Sequence, residues 1–169
     1  HLQDPQSESR IGVIDFGGAS IQIAFVPDEI PKEHAQLISL GGRDYLLYVY
    51  SYDGLGGVRA REKWSHLSCE TPGNFQECRR HLVHILKSAN EDKPKTGLDG
   101  VYQPDLTGQF VGLEHLYEAS KQGKLDRLSP DRLNEAGHRA CNSDEQNVSA
   151  LSSTNLCFDL AYFAALLFG

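Results

Sequence analysis

The segment IGVIDFGGASIQIAF, residues 11–25, decides the fold because it predicts two strands joined by a tight turn. Residues 11–16 form a continuous β-favouring run, which Gly17-Gly18 interrupts. After the turn, polar and apolar residues alternate from Ser20 to Phe25, which is the period of a half-buried strand. Two such runs around a glycine pair predict a β-hairpin.

Further strands and helices follow the hairpin along the chain. Residues 36–40 and 44–52 predict two strands joined at Gly41-Gly42, and the run LLYVY at 46–50 is apolar on both faces, which predicts a central place in the sheet. Helices are predicted at 58–67, 75–89, 111–122 and 130–140, with Ser129 as the cap of the fourth, and from about residue 153 onward. Strands followed by helices indicate an α/β or α+β layer.

The composition excludes several classes of protein. The 169 residues carry a net charge of −7, which argues against a general nucleic-acid binder, because such a protein needs a positive surface. Small anions are not excluded, since a few backbone N–H groups can hold a phosphate on an acidic protein. The longest apolar stretch, 160–168, is about half of the roughly 20 residues that cross a bilayer.

Both ends of the chain look cut, so we expect a part of a longer protein. Residues 1–10 are polar and are interpreted as a linker or leader, and residues 11–169 as one domain. Any signal or membrane anchor of the parent protein would then lie outside this segment.

Four cysteines allow three disulfide pairings. The simplest joins neighbours in sequence, Cys69 with Cys78 and Cys141 with Cys157. The second of these loops contains a glycosylation sequon at Asn147. An even cysteine count with a sequon favours the lumen of the secretory pathway or the outside of the cell.

A structural zinc site is the alternative for the first cysteine pair. His66, Cys69, Cys78 and His81 read H-x2-C-x8-C-x2-H, four ligands of the type that zinc prefers. The spacer is shorter than in common zinc fingers, so disulfides are the preferred prediction.

The turn between the first two strands is the part of the sequence whose residue types indicate a particular chemistry. Its glycines let backbone N–H groups approach an anion without a Cβ in the way. Asp15, at the end of a strand, offers a carboxylate for Mg²⁺ or Ca²⁺. Ser20 and Gln22 share one face of the second strand, where a hydroxyl and an amide can orient a water molecule. This set suits the transfer of a phosphoryl group to water.

Two other interpretations apply to the same residues. The turn can be an ordinary β-hairpin turn that needs two glycines, with Ser20 and Gln22 pointing to solvent. A protein-kinase D-F-G motif at Asp15-Phe16-Gly17 is excluded, because no H-R-D loop precedes it and no A-P-E follows.

Residues 15–22, DFGGASIQ, resemble the fourth apyrase conserved region, D-x-G-G-A-S-x-Q, of the nucleoside triphosphate diphosphohydrolases. Three further segments are similar to stretches of that family: YVYSYDGLGG at 48–57, GNFQECRR at 73–80 and GLDGVYQP at 97–104. The last of these, together with Ile21, resembles the Golgi and lysosomal branch.

The resemblance implies a hydrolase that removes the terminal phosphate from nucleoside di- or triphosphates and depends on Ca²⁺ or Mg²⁺. It also implies the two-lobed architecture of the actin, Hsp70 and sugar-kinase superfamily. The chain would be most of the second lobe, a ribonuclease H-like α/β unit with a mixed sheet and flanking helices. Its partners would be the nucleotide and the first lobe of the same parent chain.

The resemblance also assigns roles to single residues. It implies that Asp15 helps to hold the metal through water, that Gly17, Gly18 and Ala19 line the phosphate, and that Ser20 and Gln22 position the attacking water. Tyr117 falls where the family stacks an aromatic ring on the nucleobase; a tyrosine packed on the core is the alternative. Cys141 and Cys157 match the paired cysteines of the family.

The chain departs from the family pattern in several places. The first phosphate loop, the segment with the catalytic glutamate and the W-x-L-G region are absent, as are nucleotide-contacting arginines near Gly57 and within 152–156. Arg59 or Arg61 is an alternative for the arginine near Gly57, but both are expected on a solvated helix face. We therefore expect the isolated chain to be inactive, and an exopolyphosphatase or a non-catalytic nucleotide-binding or interaction domain remain the other functional hypotheses.

Overall fold

The computed structural model describes residues 10–64, 67, 69, 74–88, 96–142 and 153–169, and of residues 153–155 the backbone alone. Five strands form one sheet in the order β3-β4-β2-β1-β5. Their bounds are β1 (Ile11–Phe16), β2 (Ser20–Phe25), β3 (Gln36–Leu40), β4 (Arg43–Asp53) and β5 (Gln109–Glu114). The first four strands pair antiparallel, and β5 runs parallel to β1. The predicted hairpin and the two strands that follow it are confirmed.

In the described ranges, five α-helices follow the first four strands. They are α1 (Gly57–Trp64), α2 (Phe75–Ser88), α3 (His115–Gln122), α4 (Pro130–Asn142) and α5 (Ser153–Phe168). The cap predicted for α4 is confirmed, since the Ser129 Oγ accepts a hydrogen bond from the amide of Arg132 at 3.4 Å. A mixed sheet with flanking helices confirms the predicted α/β class.

Helix α5 packs against the centre of the sheet. The Phe16 ring of β1 meets the Phe163 ring edge-on at 4.7 Å between centroids, and the hydroxyl of Tyr162 donates to the carbonyl of Leu55 at 2.9 Å. The described side chains from Cys157 to Ala165 are all buried, as the apolar sequence predicts. The buried face of β1 is thereby fixed, and Asp15 lies on the opposite face.

As predicted, β4 lies inside the sheet, between β3 and β2, but only one of its two faces is covered by the core. Tyr48 and Tyr52 are buried, and their hydroxyls bond to the Tyr102 carbonyl at 2.6 Å and to Gln103 Oε1 at 2.8 Å. Val49, on the other face, is exposed. The outer half of β4 pairs with β3, all five residues of which are exposed, so this hairpin extends beyond the packed core.

The helix predicted over 111–122 begins four residues later than expected. Residues 109–114 form β5, because pairing with β1 overrides the local helical pattern. Glu114 then breaks the strand with a φ of 51°, and α3 begins at His115. A Cβ at Gly112 would overlap the Leu116 side chain, so glycine lets α3 fold back closely onto β5.

The predicted helix over 58–67 ends at Trp64, and Leu67 lies outside it. Residue 89, the predicted end of the next helix, is outside the described part of the chain. Within that part, no helix combines the length and the apolar character needed to cross a membrane.

Replacing Gly137 by alanine tests the packing of α4 on α2. A Cβ at Gly137 would overlap the ring of Phe75, and overpacking of this kind costs about 1–3 kcal/mol. We expect Gly137→Ala to lower the free energy of unfolding in urea denaturation, although alanine is the better helix former by about 1 kcal/mol. Glu135→Ala, at an exposed position of the same helix, is the control and should change little. A more stable Gly137→Ala protein would contradict this packing.

Candidate active site

The turn between β1 and β2 is held from behind by the segment that leads into α1. The amide of Gly57 donates to the carbonyl of Gly17 at 3.0 Å, and those of Val58 and Arg59 donate to Gly18 at 3.0 and 3.1 Å. The carbonyl of Ala19 accepts from the amides of Gly54 and Gly56 at 2.9 and 3.2 Å. Three successive carbonyls of the turn therefore point toward this segment.

The amides of Gly18 and Ala19 point the other way. In a planar trans peptide the N–H lies opposite the C=O, so a carbonyl directed at α1 sends the next N–H away from it. In the described part of the chain these two amides donate to no other backbone group, whereas the amide of Gly17 donates to the carbonyl of Ser20 at 3.1 Å. Two of the three residues predicted to line a phosphate thus keep a free N–H.

Asp15 lies at the carboxyl end of β1, directly before this turn. Its side chain is half-buried, and its Oδ1 is buried without a hydrogen-bond partner in the described structure. A buried carboxylate oxygen without a partner is costly unless a water or a cation meets it. Carboxylate oxygen is the ligand type that Mg²⁺ and Ca²⁺ prefer, so the residue fits a divalent cation.

Ser20 and Gln22 come together on the same face as Asp15. The register sets Asp15 opposite Gln22, and Gln22 opposite Ser51 on β4. The Gln22 Nε2 donates to Ser20 Oγ at 2.6 Å and to Ser51 Oγ at 3.0 Å. The predicted pair therefore forms one polar unit beside the turn rather than two side chains pointing separately to solvent.

Two residues of this face were missed by the sequence reasoning. Ser51 bonds to Gln22, and its Oγ also donates to Asp53 Oδ1 at 3.3 Å. Asp53 stands directly opposite Ser20 in the strand register. Alternation along β4 predicts that Ser51 and Asp53 share one face. That they lie beside Ser20 and Gln22 follows only from the register of β4 with β2, which the sequence alone does not give.

Tyr117 lies on α3, which follows β5 at the side of β1. Its side chain is 52% exposed, so it is not the core tyrosine of the alternative interpretation. The Lys121 ammonium lies 5.0 Å from its ring centroid. The exposed ring is free of the core, and stacking on a nucleobase stays a prediction.

Arg61 is not on a solvated helix face, contrary to expectation. Its Nε and Nη2 bond to the two carboxylate oxygens of Asp159 on α5 at 2.8 and 2.5 Å, and Nη2 lies 2.8 Å from the His115 Nε2. Burial raises the pKa of the Asp159 carboxyl, and the Arg61 guanidinium opposes part of that rise. Arg61 is thus used to tie α1, α3 and α5 together. Arg59 is exposed, as expected, and pairs with Glu62.

Both predicted disulfides are present. Cys69 is bonded to Cys78, and Cys141 to Cys157. The zinc alternative is wrong, because the two sulfurs it needs are joined to each other. His66 and the sequon at Asn147 lie outside the described residues.

Residues 1–72 match the model of the GDA1/CD39 (nucleoside phosphatase) family. The matched residues are fewer than half of the chain. Probable apyrase 3 of Arabidopsis thaliana is 24% identical over 79% of this chain and 38% of its own length. Ectonucleoside triphosphate diphosphohydrolase 3 of Mus musculus is 22% identical over 96% of this chain and 42% of its own length. The chain thus spans less than half the length of these relatives.

A shorter stretch is more similar to another relative. Ectonucleoside triphosphate diphosphohydrolase 6 of Mus musculus is 41% identical over 36% of this chain and 14% of its own length. Among solved structures, an Aquifex aeolicus member of the Ppx/GppA protein family covers 96% of this chain and 50% of its own, with a TM-score of 0.49 and 16% identity.

Replacing Gly56 tests how the turn between β1 and β2 is held. A Cβ at Gly56 would come within 2.5 Å of the backbone nitrogen and carbonyl carbon of Ala19, so the turn must shift. Because losing a hydrogen bond costs about 1 kcal/mol, we expect Gly56→Ala to speed hydrogen exchange of the Gly57 and Val58 amides at least about fivefold, measured by exchange NMR. Gly18→Ala is the control, since its Cβ would meet only a Val58 methyl at 3.3 Å. Unchanged exchange in Gly56→Ala would contradict the contact.

Proposed function

We propose that the protein containing this chain hydrolyses the terminal phosphate of nucleoside di- and triphosphates, and that this chain forms one wall of the nucleotide cleft. The observation that carries the proposal is the buried Oδ1 of Asp15, which has no hydrogen-bond partner among the described residues, at the end of the strand that leads into the turn with the unpaired amides of Gly18 and Ala19. A carboxylate oxygen without a partner suits a cation, and two unpaired N–H groups in the adjoining turn suit the phosphate that accompanies it. The family match of residues 1–72 supports nucleoside phosphates as the substrate class.

The divalent cation, Ca²⁺ or Mg²⁺, would be held by Asp15, directly or through water. Bound there, it would neutralise charge on the phosphate oxygens. The amides of Gly18 and Ala19 would donate to the terminal phosphate, with Gly17 supplying a turn without a side chain rather than a free N–H. A glycine-rich turn with outward amides is suited to this role on a chain of net charge −7, because it needs no basic side chain.

Ser20 and Gln22 would position the attacking water. The hydroxyl of Ser20 accepts from Gln22, which leaves its own proton to donate, while the Gln22 Oε1 is left to accept from water. One donor and one acceptor hold a water with a lone pair directed at phosphorus. Attack in line with the leaving group then needs no covalent intermediate.

The rest of the catalytic apparatus would come from outside this chain. We propose that residues 11–169 are part of the C-terminal lobe of a two-lobed enzyme, and that the first lobe supplies the general base and the opposing phosphate loop. The isolated chain would therefore be inactive. Tyr117, exposed on α3, would stack on the nucleobase.

The site of action would be the secretory lumen or the outside of the cell. Two disulfides support an oxidising compartment, and the sequon at Asn147 would carry a glycan there. The Golgi or the lysosome is the more specific proposal, and rests on the resemblance of residues 97–104.

Substitution of Asp15 tests the function in the full-length parent protein. We expect Asp15→Ala to lower phosphate release from nucleotides with Ca²⁺ or Mg²⁺ at least about 100-fold, because the cation loses its protein ligand. Release is measured with malachite green on a panel of nucleotides and polyphosphate, with and without chelator. Asp15→Asn, which keeps the shape of the side chain, separates loss of charge from loss of packing.

The control is Asp44→Ala, on the exposed hairpin of the same sheet. Activity of Asp15→Ala within a few-fold of the unmodified protein would refute the assignment. Release from polyphosphate but from no nucleotide would favour the exopolyphosphatase hypothesis, and nucleotide binding without release would favour a binding domain.

A further inference from the structure

A chain of hydrogen bonds leads from a second carboxylate to Gln22. Ser51 Oγ donates to Asp53 Oδ1 at 3.3 Å, and Gln22 Nε2 donates to Ser51 Oγ at 3.0 Å and to Ser20 Oγ at 2.6 Å. The strand register supports this geometry, because Gln22 is opposite Ser51 and Ser20 is opposite Asp53. The four side chains therefore form one connected network on the open face of the sheet.

The carboxylate sets the direction of every bond in the network. An ionised carboxylate only accepts, so the single proton of Ser51 goes to Asp53 and its lone pair faces Gln22. The Gln22 amide must then offer its NH₂ group to Ser51 and to Ser20. Both amide protons are used in this way, and the Oε1 is turned from the two serines.

Without Asp53, nothing in this network would choose between the two orientations of the amide. Ser51 could then donate its proton to Oε1, and the NH₂ group would replace Oε1 at the free position. An NH₂ group there would meet the water with a donor where the proposed reaction needs an acceptor.

We propose that Asp53 and Ser51 are positioning residues that fix the Gln22 amide with its Oε1 toward the attacking water. This role rests on the proposed function, and it requires no direct contact of Asp53 or Ser51 with the substrate or the attacking water. Among the described residues, no cluster of three or more His, Cys, Asp or Glu side chains suited to a metal occurs.

The test is a double-mutant cycle in the full-length parent protein, with kcat and KM measured for its best nucleotide. We expect Asp53→Ala to lower kcat about tenfold and to leave KM within about twofold, because amide orientation matters for attack and not for nucleotide binding. In the Ser51→Ala background, Asp53→Ala should have no further effect, since its route to Gln22 is already cut. Asp53→Asn should keep most of the activity, because its Oδ1 still accepts from Ser51.

The matched control is Asp44→Ala, which removes an equivalent bond from Ser39 Oγ on the outer hairpin. It should leave kcat and KM unchanged. An undiminished kcat in Asp53→Ala, or a full additional loss in the double variant, would overturn the role of Asp53. If the unmodified protein releases no phosphate from any nucleotide, the proposed function itself is wrong. If it releases phosphate and Asp53→Ala releases it equally fast, only the role of Asp53 is wrong.

A second readout follows the amide itself. In protein labelled with ¹⁵N-glutamine, the side-chain NH₂ of Gln22, assigned by its loss in Gln22→Glu, should give one pair of signals. In Asp53→Ala these signals should broaden or shift by more than those of any other glutamine. A lowered kcat with an unchanged Gln22 signal would overturn the route through the amide.

Discussion

The amides from Gly54 to Arg59 hold the carbonyls of the turn at Gly17 to Ala19, and the rest of the site depends on this contact. Because peptide groups are planar and trans, holding the carbonyls on one side presents the Gly18 and Ala19 amides on the other. The contact also needs the segment 54–57 to lie against the turn. Gly56 permits this closeness, since any side chain there would collide with the backbone of Ala19.

The fold was predictable where the period of the sequence and the buried face agree. The alternation from Ser20 to Phe25 predicts a strand with one buried face, and this is confirmed. The continuous apolar character of α5 predicts a helix that is buried all round, and this is also confirmed. Residues 111–114 misled the prediction because their strand is stabilised by pairing with β1, a contact made with residues 98 positions away. The apolar run at 46–50 correctly indicated a strand inside the sheet, but Val49 is exposed, because an apolar pattern does not report whether a layer covers each face.

The site was predictable as far as it is contiguous. Asp15, Ser20 and Gln22 stand within eight residues, and the strand period alone places the last two on one face. Ser51 and Asp53 join them only through the pairing of β4 with β2, which no local pattern specifies. The same holds for Arg61, whose partner Asp159 is 98 residues away in sequence. Because Arg61 is charged, the sequence suggested a solvent-exposed position. Pairing with the Asp159 carboxylate offsets the cost of removing the guanidinium from water.

The electrostatics of this face bear on how it would take an anion. Asp15 and Asp53 both carry negative charge there, within a chain of net charge −7. Two free amides supply only partial positive charge, so a nucleotide phosphate would meet repulsion at the open face. A divalent cation at Asp15 would reverse the sign of the field at the point where its Oδ1 is unpaired. The acidic surroundings argue against binding of a bare anion, so they favour the proposed binding of the nucleotide as its metal complex over binding of the metal-free nucleotide.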